Sequence, residues 1–192
     1  MSRARWLVTN VVLSQVGWFA AVLGAAHGWP ATGAWLALAL IGVHLALAPD
    51  TRGELRLVAL AMAVGAMWDS ALAAAGLIHY TAGQWAAWMA PYWIIVLWGL
   101  FATTLNVSLR WLQGRWWLAA VLGALAGPLS FAAGSRLGAA QFTHPVLAPA
   151  VLALGWACLM PLLVRCAQQM ARRAAKPWPG ASVMQEEAHH VV

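Results

Sequence analysis

The sequence predicts an all-α fold, an integral membrane bundle of six transmembrane helices with N-in and C-in topology, and three observations carry that expectation. The chain is 63% hydrophobic and 8% charged, whereas soluble domains carry about a quarter charged residues. Six apolar runs are long enough to cross a hydrocarbon core of about 30 Å at ~1.5 Å rise per residue. The basic residues fall between those runs and almost all on one side.

The runs are Trp6 to Ala26, Trp29 to Ala48, Leu55 to Ile78, Trp88 to Leu109, Trp116 to Gly134 and Val146 to Met170. Arg3 and Arg5 precede the first, and Arg52 and Arg56 lie between the second and third. Arg110 and Arg115 separate the fourth from the fifth, and Arg165, Arg172, Arg173 and Lys176 close the sixth. Only Arg136 stands on the other side. The positive-inside bias therefore puts both termini in the cytoplasm. Residues 1–170 are expected to form the membrane domain. Residues 171–192, basic and then polar with Glu186, Glu187, His189 and His190, are expected to form a disordered cytoplasmic tail. The net charge of +6 does not point to nucleic acid, because the basic residues mark topology and form no amphipathic face.

The first run begins after Arg3 and Arg5 like a signal peptide, but Asn10, Ser14 and Gln15 interrupt its apolar region. It is read as a retained helix, with Asn10, Ser14 and Gly17 on one stripe and Gln15 turned away beside Trp18 and Phe19. Intramembrane amides need partners, so interhelical hydrogen bonds are expected there. The second run starts at the turn His27-Gly28-Trp29-Pro30, where Pro suits a first helical turn, and stops before Pro49-Asp50-Thr51-Arg52-Gly53. His44 lies at about the depth of Asn10 and of Asn106 in the fourth run, so the three are expected to share a polar layer. No paired-His spacing suggests a metal.

The third run carries Asp69, the only carboxylate inside any of these apolar stretches. An ionised side chain near the bilayer centre costs on the order of 3 kcal/mol or more. Met62, Gly65 and Gly76 share its stripe, which turns Asp69 into the bundle and lets a neighbour approach closely. Two readings of it stay open: a hydrogen-bonded carboxyl that joins helices, or a group that relays protons, contacts a substrate or acts as a catalytic acid. Direct contact with Arg136 is a further expectation, reached if Arg136 points inward. Otherwise Ser70, Trp68 or a residue of the first or fifth run would take up the carboxyl's hydrogen bonding.

The connection His79-Tyr80-Thr81-Ala82-Gly83-Gln84-Trp85 has no full charge and suits the interface. In the fourth run Gly99, Ala102, Thr103 and Asn106 make a small, polar face opposite Trp98, Phe101 and Leu105. The fifth run spaces Gly123, Gly127, Ser130 and Gly134 at helical intervals, and Pro128 frees the Ala124 carbonyl, so a kink at Gly127-Pro128 is expected, with a wet or ligand-lined site or plain close packing as its use. Trp18, Trp68, Trp93, Trp98 and Trp156 lie deep, and the other tryptophans tend to the run ends. Cys158 and Cys166 share the sixth run at a spacing that suits neither a disulfide nor a metal.

Several of these blocks resemble an uncharacterised family of small bacterial inner-membrane proteins. They are Gln15 with Trp18-Phe19, Asp69-Ser70, Trp93 with Trp98 and Phe101-Ala102, Thr104-Leu105-Asn106 to Trp111-Leu112, and Gly127-Pro128-Leu129-Ser130 through Gly134 to Arg136-Leu137-Gly138-Ala139. The resemblance runs from about Asn10 to Pro161. Phe131 and Val107 stand where the family often has Tyr and His, and each lacks a polar group there. The resemblance implies an inner-membrane location but no established activity, and the family's genes look like neighbours of lipid-modifying methyltransferase and flavoprotein genes.

Two function classes follow. One is a non-enzymatic accessory or scaffold protein linked to membrane lipid modification, with a dry interior. The other is a small carrier or intramembrane enzyme for a lipid or apolar substrate, using Asp69 with Arg136 as anion anchor and Asn10, Gln15 and Asn106 as orienting groups. Only one broken helix and no inverted repeat argue against transport, and no nucleophile-base pair, metal spacing or phosphate loop argues for catalysis. No cofactor is expected. Membrane lipids are the expected partners, with a membrane protein as a further one, and the oligomeric state is open.

Overall fold

The computed structural model describes residues 3–174. The proposed tail therefore lies mostly outside the described residues. Six α-helices form the bundle: α1 Arg3–Ala26, α2 Pro30–Leu47, α3 Thr51–Ala74, α4 Tyr92–Leu105, α5 Trp116–Arg136 and α6 Leu147–Ala174. Two three-residue strands, β1 Ile78–Tyr80 and β2 Ala140–Phe142, pair antiparallel with Tyr80 opposite Ala140. A 3-10 turn at Arg110–Leu112 joins α4 to α5.

Five of the helices, all but α4, are long and apolar enough to cross a membrane. At 14 residues, α4 extends about 21 Å, short of a hydrocarbon core of ~30 Å. This differs from the run Trp88 to Leu109 read as the fourth span. Pro91 is extended at φ −68°, ψ 146° and begins the helix, and the Ser70 hydroxyl accepts from the Ala90 amide at 2.9 Å. The chain before it folds back instead of spanning. Its backbone is satisfied by the β1–β2 pair, by Thr81 N–H to Ala139 O at 3.2 Å and by Tyr92 N–H to Gly83 O at 3.1 Å, as backbone removed from water requires.

The third helix also starts earlier than the run Leu55 to Ile78. The Asp50 carboxylate accepts from the Gly53 amide at 3.1 Å and caps it, so Glu54 falls inside its first turns and is 9% exposed. The start of the third run at Leu55 is corrected by that cap, which brings Thr51 to Gly53 into the helix as well. Helix α4 is apolar on every side because it is wrapped: it packs on α1, α2, α3 and α6. It runs antiparallel to α3, with Ala90 beside Ser70 at one end and Asn106 beside Glu54 at the other. Helix α5 lies mainly against α6. The basic end holds the α2–α3 and α4–α5 connections, and the opposite end holds the strands.

Candidate functional site

Asp69 is fully buried, as the stripe it shares with Met62 and Gly65 implies. Gly76 lies past the end of α3 in a turn at φ +67° and is not part of that stripe. The Asp69 Oδ2 accepts from Trp98 Nε1 at 2.6 Å and its Oδ1 from the Tyr80 hydroxyl at 2.8 Å. The indole reaches it because Gly65, one turn earlier on α3, has no side chain: a Cβ there would occupy the space of the Trp98 ring. Arg136 is exposed at the end of α5, and the carboxyl's hydrogen bonds go to Trp98 and Tyr80 instead. The donors come from α4 and β1, neither of them among the elements expected to supply one.

The other face of Trp98 stacks on Trp156 of α6 at 4.6 Å between centroids and 14° between planes. Phe101 meets Trp156 edge-on at 5.4 Å. Trp156 in turn lies against Gly123 and Gly127, where a Cβ would overlap it. Gly127 thus seats the Trp156 ring and Gly123 admits its backbone carbonyl beside Met160, and α5 continues as one helix through Pro128.

These rings wall a cavity of about 310 Å³. Its back is α4, with Trp93, Trp98 and Phe101, and its floor is Trp156 and Met160 of α6. Gln15, Trp18 and Val22 of α1 stand on one flank, and Ala126, Ser130 and Gly134 of α5 on the other. Gln15, Ala126 and Ser130 are exposed on the outer surface of the bundle, so the cavity opens sideways between α1 and α5. One hydrogen bond crosses that mouth, from Trp18 Nε1 to Ser130 Oγ at 3.1 Å. The Gln15 amide has no partner among the described residues, and Trp156 Nε1 is buried without one. Tyr80 and Trp98 line the cavity, whereas Asp69 sits behind them. The lining contains no carboxylate, imidazole, amine or thiol. It offers aromatic faces and hydrogen-bond donors, a surface suited to binding.

The remaining sequence-selected residues gather at the basic end. Asn10 is buried, donating to Thr103 O at 3.0 Å and accepting from Ser108 Oγ at 2.9 Å. His44 Nε2 meets Glu54 Oε2 at 3.2 Å, and Asn106 donates to Glu54 Oε1 at 2.8 Å. Gln113 donates to Asn106 Oδ1 at 2.9 Å. Trp6, one turn before Asn10, stacks on His44 at 5.5 Å and 17°. The three residues expected in one layer lie at this end in two neighbouring networks, Asn10 with Thr103 and Ser108, and His44 with Asn106 through Glu54, which like Gln113 the sequence reading did not select.

The architecture defines a class: a multi-pass helical membrane protein, here with an internal cavity that opens on the side of the bundle. The chain belongs to the family described as Protein of unknown function (DUF2878), whose pattern matches residues 7–162. No curated protein and no solved structure matches it.

Proposed function

We propose that the protein is an accessory component of the bacterial inner membrane that holds a lipid-derived molecule in the cavity between α1, α4, α5 and α6. Its ligand has a hydrocarbon or conjugated body, which the Trp98, Trp156 and Phe101 rings contact, and an oxygen acceptor. The observation that carries this reading is the sideways opening: a 310 Å³ cavity lies within the range of small-molecule sites, and its mouth is exposed where lipid would be. The Trp156 N–H argues for a ligand that is not pure hydrocarbon, since a buried donor left without a partner costs about 1–3 kcal/mol, and the exposed Gln15 amide at the mouth adds a second polar group. The basic residues at one end support placing that end in the cytoplasm.

Asp69 acts through others in this reading. Its two hydrogen bonds hold the Tyr80 and Trp98 rings that form the wall, and a lipid link is served by binding or presenting a tail. Ala126 lines the mouth and is exposed, so Ala126→Trp fills the opening without displacing a buried neighbour. Organic extracts of purified wild type are expected to contain a stoichiometric lipid-soluble compound that Ala126→Trp lacks. Identical extracts from the two proteins would refute the proposal.

A further inference from the structure

A second pocket, of about 470 Å³, lies at the basic end, remote from the cavity above. Its wall includes Trp6 of α1, His44 of α2, Asp50 and Glu54 at the start of α3, and Asn106 and Arg110 beyond α4. Its depth is fixed by a network. Glu54 accepts from Asn106 on one oxygen and stands 3.2 Å from His44 Nε2 on the other. In the neutral imidazole a carboxylate in that position puts the proton on Nε2, which leaves Nδ1 of His44 as a lone-pair acceptor. His44 is 3% exposed, and Nδ1 is buried with no partner. A buried acceptor left so calls for a donor. Asp50 spends Oδ1 on its helix cap, and its Oδ2 has no partner among the described residues. Arg110 is exposed, and its guanidinium has no partner among the described residues. The pocket is therefore bipolar, with acceptors inside and a free cation at the edge.

We propose that this pocket binds a phosphodiester headgroup with a hydrogen-donating terminus, its phosphate at Arg110 and its ammonium or hydroxyl toward His44 and Asp50. Arginine suits a phosphate through its forked donors, and the half-buried indole of Trp6 beside carboxylates suits an ammonium. The chemistry is that of phosphatidylethanolamine or phosphatidylglycerol. Phosphatidylcholine has the phosphate but no donor hydrogen at its terminus and serves as the control. The inference is independent of the lateral cavity.

Native mass spectrometry of the full chain, offered the three lipids with identical acyl chains, tests it. At least one donor-bearing lipid should be retained about tenfold over phosphatidylcholine. Arg110→Gln, at an exposed position, should lower that retention about tenfold, the effect of one charge-assisted contact. Asp50→Asn keeps the helix cap, since Asn caps as well as Asp, and should narrow the preference over phosphatidylcholine. Competition by free glycerophosphoethanolamine would identify a soluble headgroup as sufficient, and its failure would identify the membrane lipid; both agree with the proposal. Equal retention of all three lipids, or retention unchanged in Arg110→Gln, overturns it. Ala126→Trp should leave this binding intact, which separates the two sites.

Discussion

At Asp69 the geometry is that of a hydrogen-bonded carboxyl that joins elements. Both oxygens are engaged by donors, Trp98 Nε1 and the Tyr80 hydroxyl, and the side chain is sealed from the cavity that those donors line. An isosteric amide is therefore not silent. Asn supplies one acceptor oxygen and turns an NH₂ toward the other donor, so Asp69→Asn should lose about 1–3 kcal/mol of stability. Unfolding in detergent would measure the loss as a lower midpoint. Arg136→Gln should fall within about 0.5 kcal/mol of wild type, and the double variant should be additive, as independent sites are. Rescue of Asp69→Asn by Arg136→Gln would contradict the structure's assignment of partners. Substitution of Trp98 by Phe should be markedly non-additive with Asp69→Asn, because each removes the same hydrogen bond.

At the scale of elements, the packing pairs an indole with a glycine. Gly65 admits Trp98, and a Cβ there would overlap the ring, whereas a Cβ on Gly42 of α2 would meet nothing within 4 Å. Gly65→Ala should cost about 1–3 kcal/mol through overpacking, and Gly42→Ala should gain up to about 1 kcal/mol from helix propensity. Thermal melts of the pair in one detergent would check both signs. The small-residue stripes and the inward direction of Asp69 were legible because helical spacing is local. The identity of what enters a stripe was not, since Trp98 lies 29 positions from Asp69 along the chain. The strands eluded the pattern because three residues carry no periodicity. Reading Trp88 to Leu109 as a span overlooked Pro91, whose missing donor and fixed φ mark a helix start. Starting the third run at Leu55 overlooked Asp50, a strong N-cap residue. Both signals were in the sequence, outweighed there by hydropathy.

At the scale of the whole molecule, the distribution of arginines leads to a topology prediction. His79 in β1 and Arg115 before α5 are both exposed and lie at opposite ends of the bundle. In a background with Cys158 and Cys166 replaced by Ser, an impermeant thiol reagent should label His79→Cys in intact cells and Arg115→Cys only after lysis. The reverse pattern would invert the molecule in the membrane. The central claim concerns the cavity between α1 and α5, and a titration tests it most directly. Tryptophan-excited emission of a polyene fatty acid should rise and saturate at one equivalent on wild type in nanodiscs, because Trp18, Trp93, Trp98 and Trp156 all line the cavity. It should fall to the non-saturating lipid background on Ala126→Trp. Non-saturating emission on wild type, or an identical saturable curve on the blocked variant, would contradict the account.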